Sequence, residues 1–205
     1  MYHKDIYNFD TLPNSYWHIT DNKHKNFNLK PINNNKEFDI LIIGAGYTGL
    51  SCALNLLENY NLNVGIVDAG SIGWGASSRN AGFCCIPPTK LTVDQLIKKN
   101  GKNETIKFFE NCIEGSNYTK ELIDKYNIEC DISGNKNYVV AHSTKKFDEL
   151  IKESKMYNNL FNIKSEIFDR NIFSKIGHSG EEQFGALSYE PGFALNPLKF
   201  VNGLT

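Results

Sequence analysis

The spacing of apolar residues along this chain changes at Phe38. Before it, residues 1–36 are polar, contain Pro13 and Pro31, and show no sustained period, which predicts a leader that wraps the domain or stays mobile. Ser15-Tyr16-Trp17 is the exception: adjacent aromatics in a polar stretch predict a docking anchor. After it, Ile40-Leu41-Ile42-Ile43 is a continuous apolar run, expected of a strand buried on both faces of a parallel sheet. Leu50, Ala53, Leu54 and Leu57 then fall at i, i+3, i+4 and i+7, one face of an amphipathic helix. That helix is expected to end near Asn59-Tyr60-Asn61, where Asn takes a left-handed cap conformation. Asn63 to Asp68 reads as a second strand closing on an acid, so residues 38–68 form a strand-helix-strand unit of 31 residues.

Further along, Thr92-Val93-Asp94-Gln95 has the spacing of a capping box. A longer helix is expected from about Asn103 to Tyr126, with Ile106, Phe109, Ile113, Leu122 and Tyr126 inward. Tyr138 to Ala141 reads as a strand, and Phe147, Leu150 and Ile151 mark a helix after Ser143. Asp169 is placed to cap a short helix ending at Gly177, and Gly185 to Tyr189 reads as another strand. Asn196-Pro197 is a helix start with eight residues after it, which predicts a truncated chain.

With 205 residues, 40% of them hydrophobic and 12% aromatic, a packed core of one or two domains is expected. The net charge of −1 argues against a nucleic-acid partner. Five cysteines do not make a disulfide framework and suggest reduced thiols in a cytoplasmic protein. No apolar run approaches the ~20 residues of a membrane helix, and the leader lacks the apolar core of a signal peptide. Only two of the 22 basic residues are arginines, and Asn and Ile are abundant, a bias expected of AT-rich codons. Asn-rich patches therefore carry little weight, whereas Arg79 and Arg170 stand out.

The chemistry concentrates after the first strand. In Gly44-Ala45-Gly46-Tyr47-Thr48-Gly49, Gly44 permits the tight turn, Gly46 lets the backbone approach a pyrophosphate, and Gly49 lets helix and strand pack closely. Phosphates would sit at the helix N-terminus, where free N–H groups and the helix dipole favour negative charge. Asp68, 24 residues beyond Gly44, is placed to accept hydrogen bonds from the hydroxyls of an adenosine ribose. These features alone do not separate NAD from FAD.

Gly73-Trp74-Gly75-Ala76-Ser77-Ser78-Arg79-Asn80-Ala81-Gly82 resembles the GWGASGRNGG segment of FAD-dependent oxidoreductases of the D-amino-acid oxidase superfamily. The Ser15-Tyr16-Trp17 leader, the glycine loop and this segment occur in the same order in the gamma-glutamylputrescine oxidoreductase branch. Similarity continues through residues 126–131 and 195–204. The resemblance implies an α/β architecture: a Rossmann-like FAD-binding βαβ domain with the start of a β-rich substrate domain, truncated. The expected boundaries are 1–36 for the leader, 37–135 for the FAD-binding part and 136–205 for the start of the substrate domain. It puts Gly44, Gly46, Tyr47, Thr48 and Gly49 at the FAD pyrophosphate and Asp68 at the ribose. Gly75, Ala76, Ser77, Arg79, Asn80 and Gly82 would line the pyrophosphate, ribityl and flavin side, where small residues expose main-chain amides and Arg79 supplies a fixed cation. Arg79 as a clamp within its own loop is the competing reading. Ala45 replaces the usual Gly and Asp68 the commoner Glu, and neither change threatens binding.

The implied activity is oxidation of a C–N bond in a small amine or amino acid, with hydride transfer to the flavin N5 and hydrolysis of the resulting imine. Such chemistry often needs no side-chain base, and no catalytic residue is assigned. The family's proteins are longer, so this chain alone is expected to be inactive. An NAD(P)-dependent dehydrogenase and a stand-alone nucleotide-binding module are the alternatives. Cys84-Cys85 follows the loop and reads as packing, as do Cys52, Cys112 and Cys130 on apolar positions. The five histidines form no metal-ligand spacing.

Overall fold

Parallel pairing of two short apolar strands organises the first part of the molecule. A computed structural model describes residues 3, 8–11, 14–20, 29, 31–86 and 89–205, so much of the leader lies outside the described residues. In chain order the first elements are α1 (Tyr16–Thr20), β1 (Ile40–Ile43), α2 (Tyr47–Asn59), β2 (Val64–Val67) and a 3-10 turn (Ala76–Ser78). β3 (Phe83–Cys85), α3 (Val93–Asn100), α4 (Lys102–Lys125), β4 (Asn137–Val140) and α5 (Thr144–Leu160) follow. The last are β5 (Ser165–Asp169), α6 (Arg170–Ile176), β6 (Gly185–Tyr189), β7 (Gly192–Ala194) and α7 (Pro197–Gly203). By compactness the chain divides into two units: residues 1–82, 122–132 and 195–205 form one, and 83–121 with 133–194 form the other. The division interleaves stretches that the sequence pattern arranges as consecutive domains.

In the first unit, β1 and β2 pair in parallel from Ile40 with Val64 to Ile43 with Val67. α2 covers one face, with Gly49, Leu50 and Ala53 buried, and Ile42 lies against Gly49. Side chains alternate across a strand, so Leu41 and Ile43 point away from α2 and are 51% and 86% exposed. The expected burial of β1 on both faces is thus not found, because α2 covers only the face of Ile42. Leu57 also lies outside the buried stripe, and α2 ends on Tyr60 in an extended conformation rather than on a left-handed Asn.

The same unit receives α7. Asn196 is its N-cap, accepting from the N–H groups of Leu198 and Lys199, with Pro197 in the first turn as expected. Asp131 accepts from Lys199 Nζ at 2.9 Å and from Asn196 Nδ2 at 3.4 Å. These donors, Lys199 foremost, hold the Asp131 carboxyl below its ordinary value of 3.8 against a smaller opposing effect of burial. Lys125 and Tyr126 both donate to Glu58. Tyr126 is therefore held at the surface, 36% exposed, not inward as its spacing suggests.

The second unit carries a three-stranded antiparallel sheet in the order β4-β6-β5, with β6 buried throughout, and a separate antiparallel pair, β3 with β7. The caps expected at Thr92 and Asp169 form here, and Ser143, expected only to precede a helix, caps α5. Thr92 and Gln95 close a capping box, Ser143 accepts from Lys146 N–H, and Asp169 accepts from Ile172 N–H. Phe109 is fully buried and stacks on Phe161 with ring centroids 4.0 Å apart, while Tyr157 meets it edge-on at 5.8 Å. Burial pushes the Tyr157 and Tyr189 hydroxyls well above their ordinary values. It also raises the Glu153 carboxyl.

Two outcomes follow. Phe109→Ala should cost about 3–5 kcal/mol in chemical denaturation, because the stack with Phe161 leaves a cavity that rigid neighbours fill poorly. For Asp131, a depressed folded pKa means stability present above 3.8 and lost as pH falls through the lower folded value. Asp131→Asn should therefore flatten the acid limb of the stability curve, measured by urea unfolding at neutral pH and near about pH 3.

Candidate functional site

The first βα turn is shaped by what its glycines omit. Gly44, at φ +110°, turns the chain out of β1, and its N–H donates to Val67 O at 2.7 Å. At Gly49 a Cβ would run into the carbonyl oxygen of Gly44, so α2 starts hard against the end of β1. Gly46 is the N-cap of α2 and offers no side chain to the first turn, whose N–H groups have no partner within the helix. Ser77 Oγ, from the second loop, accepts from Tyr47 N–H at 3.1 Å and would lie 2.9 Å from a Cβ at Gly46. Tyr47 itself turns toward α7, donating its hydroxyl to Pro197 O at 3.2 Å, with its ring centroid 5.3 Å from that of Phe200.

Asp68 ends β2 beside this turn. One carboxylate oxygen accepts from Ala45 N–H at 2.6 Å and the other from Gly70 N–H at 2.8 Å. Asp68 thereby ties the glycine loop to the turn after β2, a structural task that spacing alone does not reveal. Each oxygen keeps a further lone pair for a hydroxyl donor. A cavity of about 640 Å³ opens here, lined by Ala45, Leu50, Ala53, Ile66, Asp68 and Gly70 among others. Apolar walls with one carboxylate at the rim suit a nucleoside, whose ring is flat and whose sugar donates hydrogen bonds.

The second loop, residues 73–82, is built largely from its own hydrogen bonds. Gly73 N–H donates to Ala45 O at 3.0 Å, so the two loops touch. Ser78 is buried and donates to Gly73 O at 2.5 Å. Arg79 donates to Trp74 O and Gly75 O and lies over the Trp74 ring at 4.5 Å. This is the clamp reading of Arg79. Asn80 Nδ2 donates to Ala76 O and Ser77 O, while its Oδ1 accepts from Gly82 N–H at 2.8 Å. Gly82, at φ +76°, bonds Leu195, and Gly73 lies against Val201.

The structure thus brings Gly44, Gly46, Tyr47, Gly49, Asp68 and Ser77 to one place in the first unit, with Thr48 on the first turn of α2. Gly75, Ala76, Arg79, Asn80 and Gly82 line the adjoining loop. The sequence pattern carries no sign of α7 as the element against which Tyr47 and Gly73 pack, nor of Trp74 as the ring on which Arg79 rests. Among the cysteines, none of which forms a disulfide, Cys130 is buried as expected, whereas Cys52 is exposed on α2. Burial, reinforced by Cys84, pushes the Cys85 thiol up, opposite to the lowered value of a reactive thiolate. Cys84 Sγ lies 3.4 Å from Ser116 Oγ.

Comparison with known proteins agrees with this geometry. A family model described as FAD dependent oxidoreductase matches residues 39–205. Probable oxidoreductase OrdL of Haemophilus influenzae is 29% identical over 187 residues, covering 90% of this chain and 42% of that protein. Gamma-glutamylputrescine oxidoreductase of Escherichia coli is 29% identical over 189 residues, covering 92% of this chain and 43% of its own length. The chain therefore spans less than half the length of these curated relatives. In fold it matches glycine oxidase from Bacillus cereus with a TM-score of 0.58 at 18% identity, over 82% of this chain and 42% of that one. It also matches L-alpha-glycerophosphate oxidase from Mycoplasma pneumoniae, solved with FAD bound, with a TM-score of 0.62 at 19% identity, over 83% and 42%. No helix among the described residues is long and apolar enough to cross a membrane.

The two inner glycines should respond differently to a methyl group. Gly49→Ala meets backbone and should destabilise the first unit by at least about 1–3 kcal/mol. Gly46→Ala meets only the movable Ser77 hydroxyl and should cost much less. Thermal unfolding followed by circular dichroism separates the two.

Proposed function

We propose that this chain, which belongs to the FAD dependent oxidoreductase family, supplies the FAD-binding part of an enzyme that oxidises a C–N bond of a small amine or amino acid. The observation that carries the reading is the family match over residues 39–205, joined to a glycine loop and a second loop that meet at the N-terminus of α2. Similarity to gamma-glutamylputrescine oxidoreductase supports an amine as the substrate class. The family match also favours FAD over NAD, which the glycine loop by itself does not.

The residues present fit the cofactor. The absence of a side chain at Gly46 lets the Ser77 hydroxyl come up to the start of α2, and the first-turn N–H groups, with that hydroxyl, suit a pyrophosphate. Asp68 would accept the ribose hydroxyls on lone pairs left over from its main-chain bonds. Arg79, Asn80 and Ser78 hold the second loop rigid, so that Gly75 and Ala76 can present main-chain amides toward the isoalloxazine side. Bound FAD supplies a two-electron acceptor, which turns the C–N bond of an amine into an imine that water hydrolyses. The first unit would then serve as the cofactor site, and the chain from residue 136 onward as the beginning of a substrate-facing domain.

Purified protein should be yellow and release FAD on denaturation. Asp68→Ala removes the ribose acceptor and should weaken FAD binding by about tenfold or more, consistent with lost hydrogen bonds to a charged group. Flavin fluorescence titration measures this. A colourless wild-type protein that takes up no added FAD would overturn the reading.

A further inference from the structure

Two long-range hydrogen bonds join the leader to the second loop, and both are made by tryptophan side chains. Trp17 Nε1 donates to Asn80 O at 2.8 Å, and Trp74 Nε1 donates to Thr11 O at 3.1 Å. Each spans 63 positions, so Thr11 lies beside Trp74 and Trp17 beside Asn80. Phe9 adds an edge-on contact to the Trp74 ring with centroids 4.9 Å apart. These are both tryptophans of the sequence.

The loop's own side chains are engaged inside it. Arg79 bonds Trp74 and Gly75, Asn80 bonds Ala76 and Ser77, and Ser78 bonds Gly73. Those bonds fix the loop's shape but not its place. Its place is set from outside, by Ala45 and Tyr47 of the first loop, by Thr11 and Trp17 of the leader, and by Leu195 and α7. The contacts run onward: Trp17 holds the Asn80 carbonyl, the Asn80 side chain holds Ser77 O, and Ser77 Oγ meets the first N–H of α2. A shift of the leader would therefore be felt where the cofactor phosphate is expected.

We infer that the leader is a positioning element of the cofactor site, with Trp17 as its positioning residue: its bond to Asn80 seats the 73–82 loop, and with it Ser77, for FAD. The inference rests on the FAD reading above. By linkage the effect is reciprocal, so FAD stabilises the docked leader by the factor by which the docked leader tightens FAD.

The test uses the full encoded protein with its cofactor removed. Trp17→Phe keeps a ring and loses the donor, and Trp17→Ala loses both. Ile19→Ala, an exposed position on the same helix, is the control. FAD dissociation constants come from flavin fluorescence titration, with melting of the cofactor-free proteins measured in parallel. Trp17→Phe should weaken FAD roughly three- to tenfold, as expected for one hydrogen bond, and Trp17→Ala by more. Ile19→Ala should leave affinity unchanged. Wild-type affinity in both Trp17 variants overturns the inference while the FAD reading stands. So does a lower melting temperature with unchanged affinity of the folded fraction, which marks a structural role only. Wild-type protein that binds no FAD removes both.

Discussion

Between Gly49 and the carbonyl oxygen of Gly44 there is no room for a methyl group, and much of the first unit is arranged around that contact. Because α2 begins so close to the end of β1, its first-turn N–H groups face the space above the strand ends. Ile42 packs directly under the helix, and β2 returns alongside β1 with its terminal acid beside the same turn. An anion site at a helix N-terminus needs this geometry before any ligand arrives, since the dipole and the N–H groups act only over a short range. Asp68 then does two things in one place. It fastens Ala45 and Gly70 to each other and leaves negative charge at the mouth of an apolar cavity.

The second loop depends on the first for its seat and on long-range partners for its stability. A run such as Gly73-Trp74-Gly75-Ala76-Ser77 has little side-chain surface to bury, so conformational entropy would keep it loose if hydrogen bonds did not close it. Arg79 supplies much of that closure. A guanidinium can reach two carbonyls while resting on an indole, which a lysine ammonium cannot match in geometry. The persistence of an arginine here, in a chain that otherwise uses lysine, has a physical reason in the loop itself.

Much of the local structure was legible in the sequence. The β1–α2–β2 order follows from hydrophobic spacing, and the caps at Thr92, Asp169 and Asn196 follow from side chains that satisfy first-turn N–H groups. Trp17 was recognisable as an anchor, although its partner, the Asn80 carbonyl, was not, because a main-chain acceptor leaves no mark in composition. Burial was read less well where it depends on what covers a face. Leu41 and Ile43 look like core residues by type, yet they point away from α2, and Tyr126 is drawn outward by Glu58. β5 and β7 escaped notice for a related reason: Ser165 to Asp169 and Gly192 to Ala194 have no strong apolar alternation, and pairing with β6 and β3 makes them strands.

The interleaving of the two units bears on the order in which the polypeptide emerges during synthesis. Residues 83–121 and 133–194, which make up the second unit, have all been joined to the chain before residue 195 is added. The glycine loop and β2 are made much earlier, but α7, which receives Tyr47 and backs Gly73, is made only after the whole second unit. Nascent chains fold largely as units from the N-terminus. Here a strict N-to-C order of units does not apply, because the first unit's opening stretch is made before the second unit and its closing stretch after it. Residues 195–205 therefore join the first unit only after all of the second has been made, and until then Tyr47 and Gly73 have no α7 to pack against.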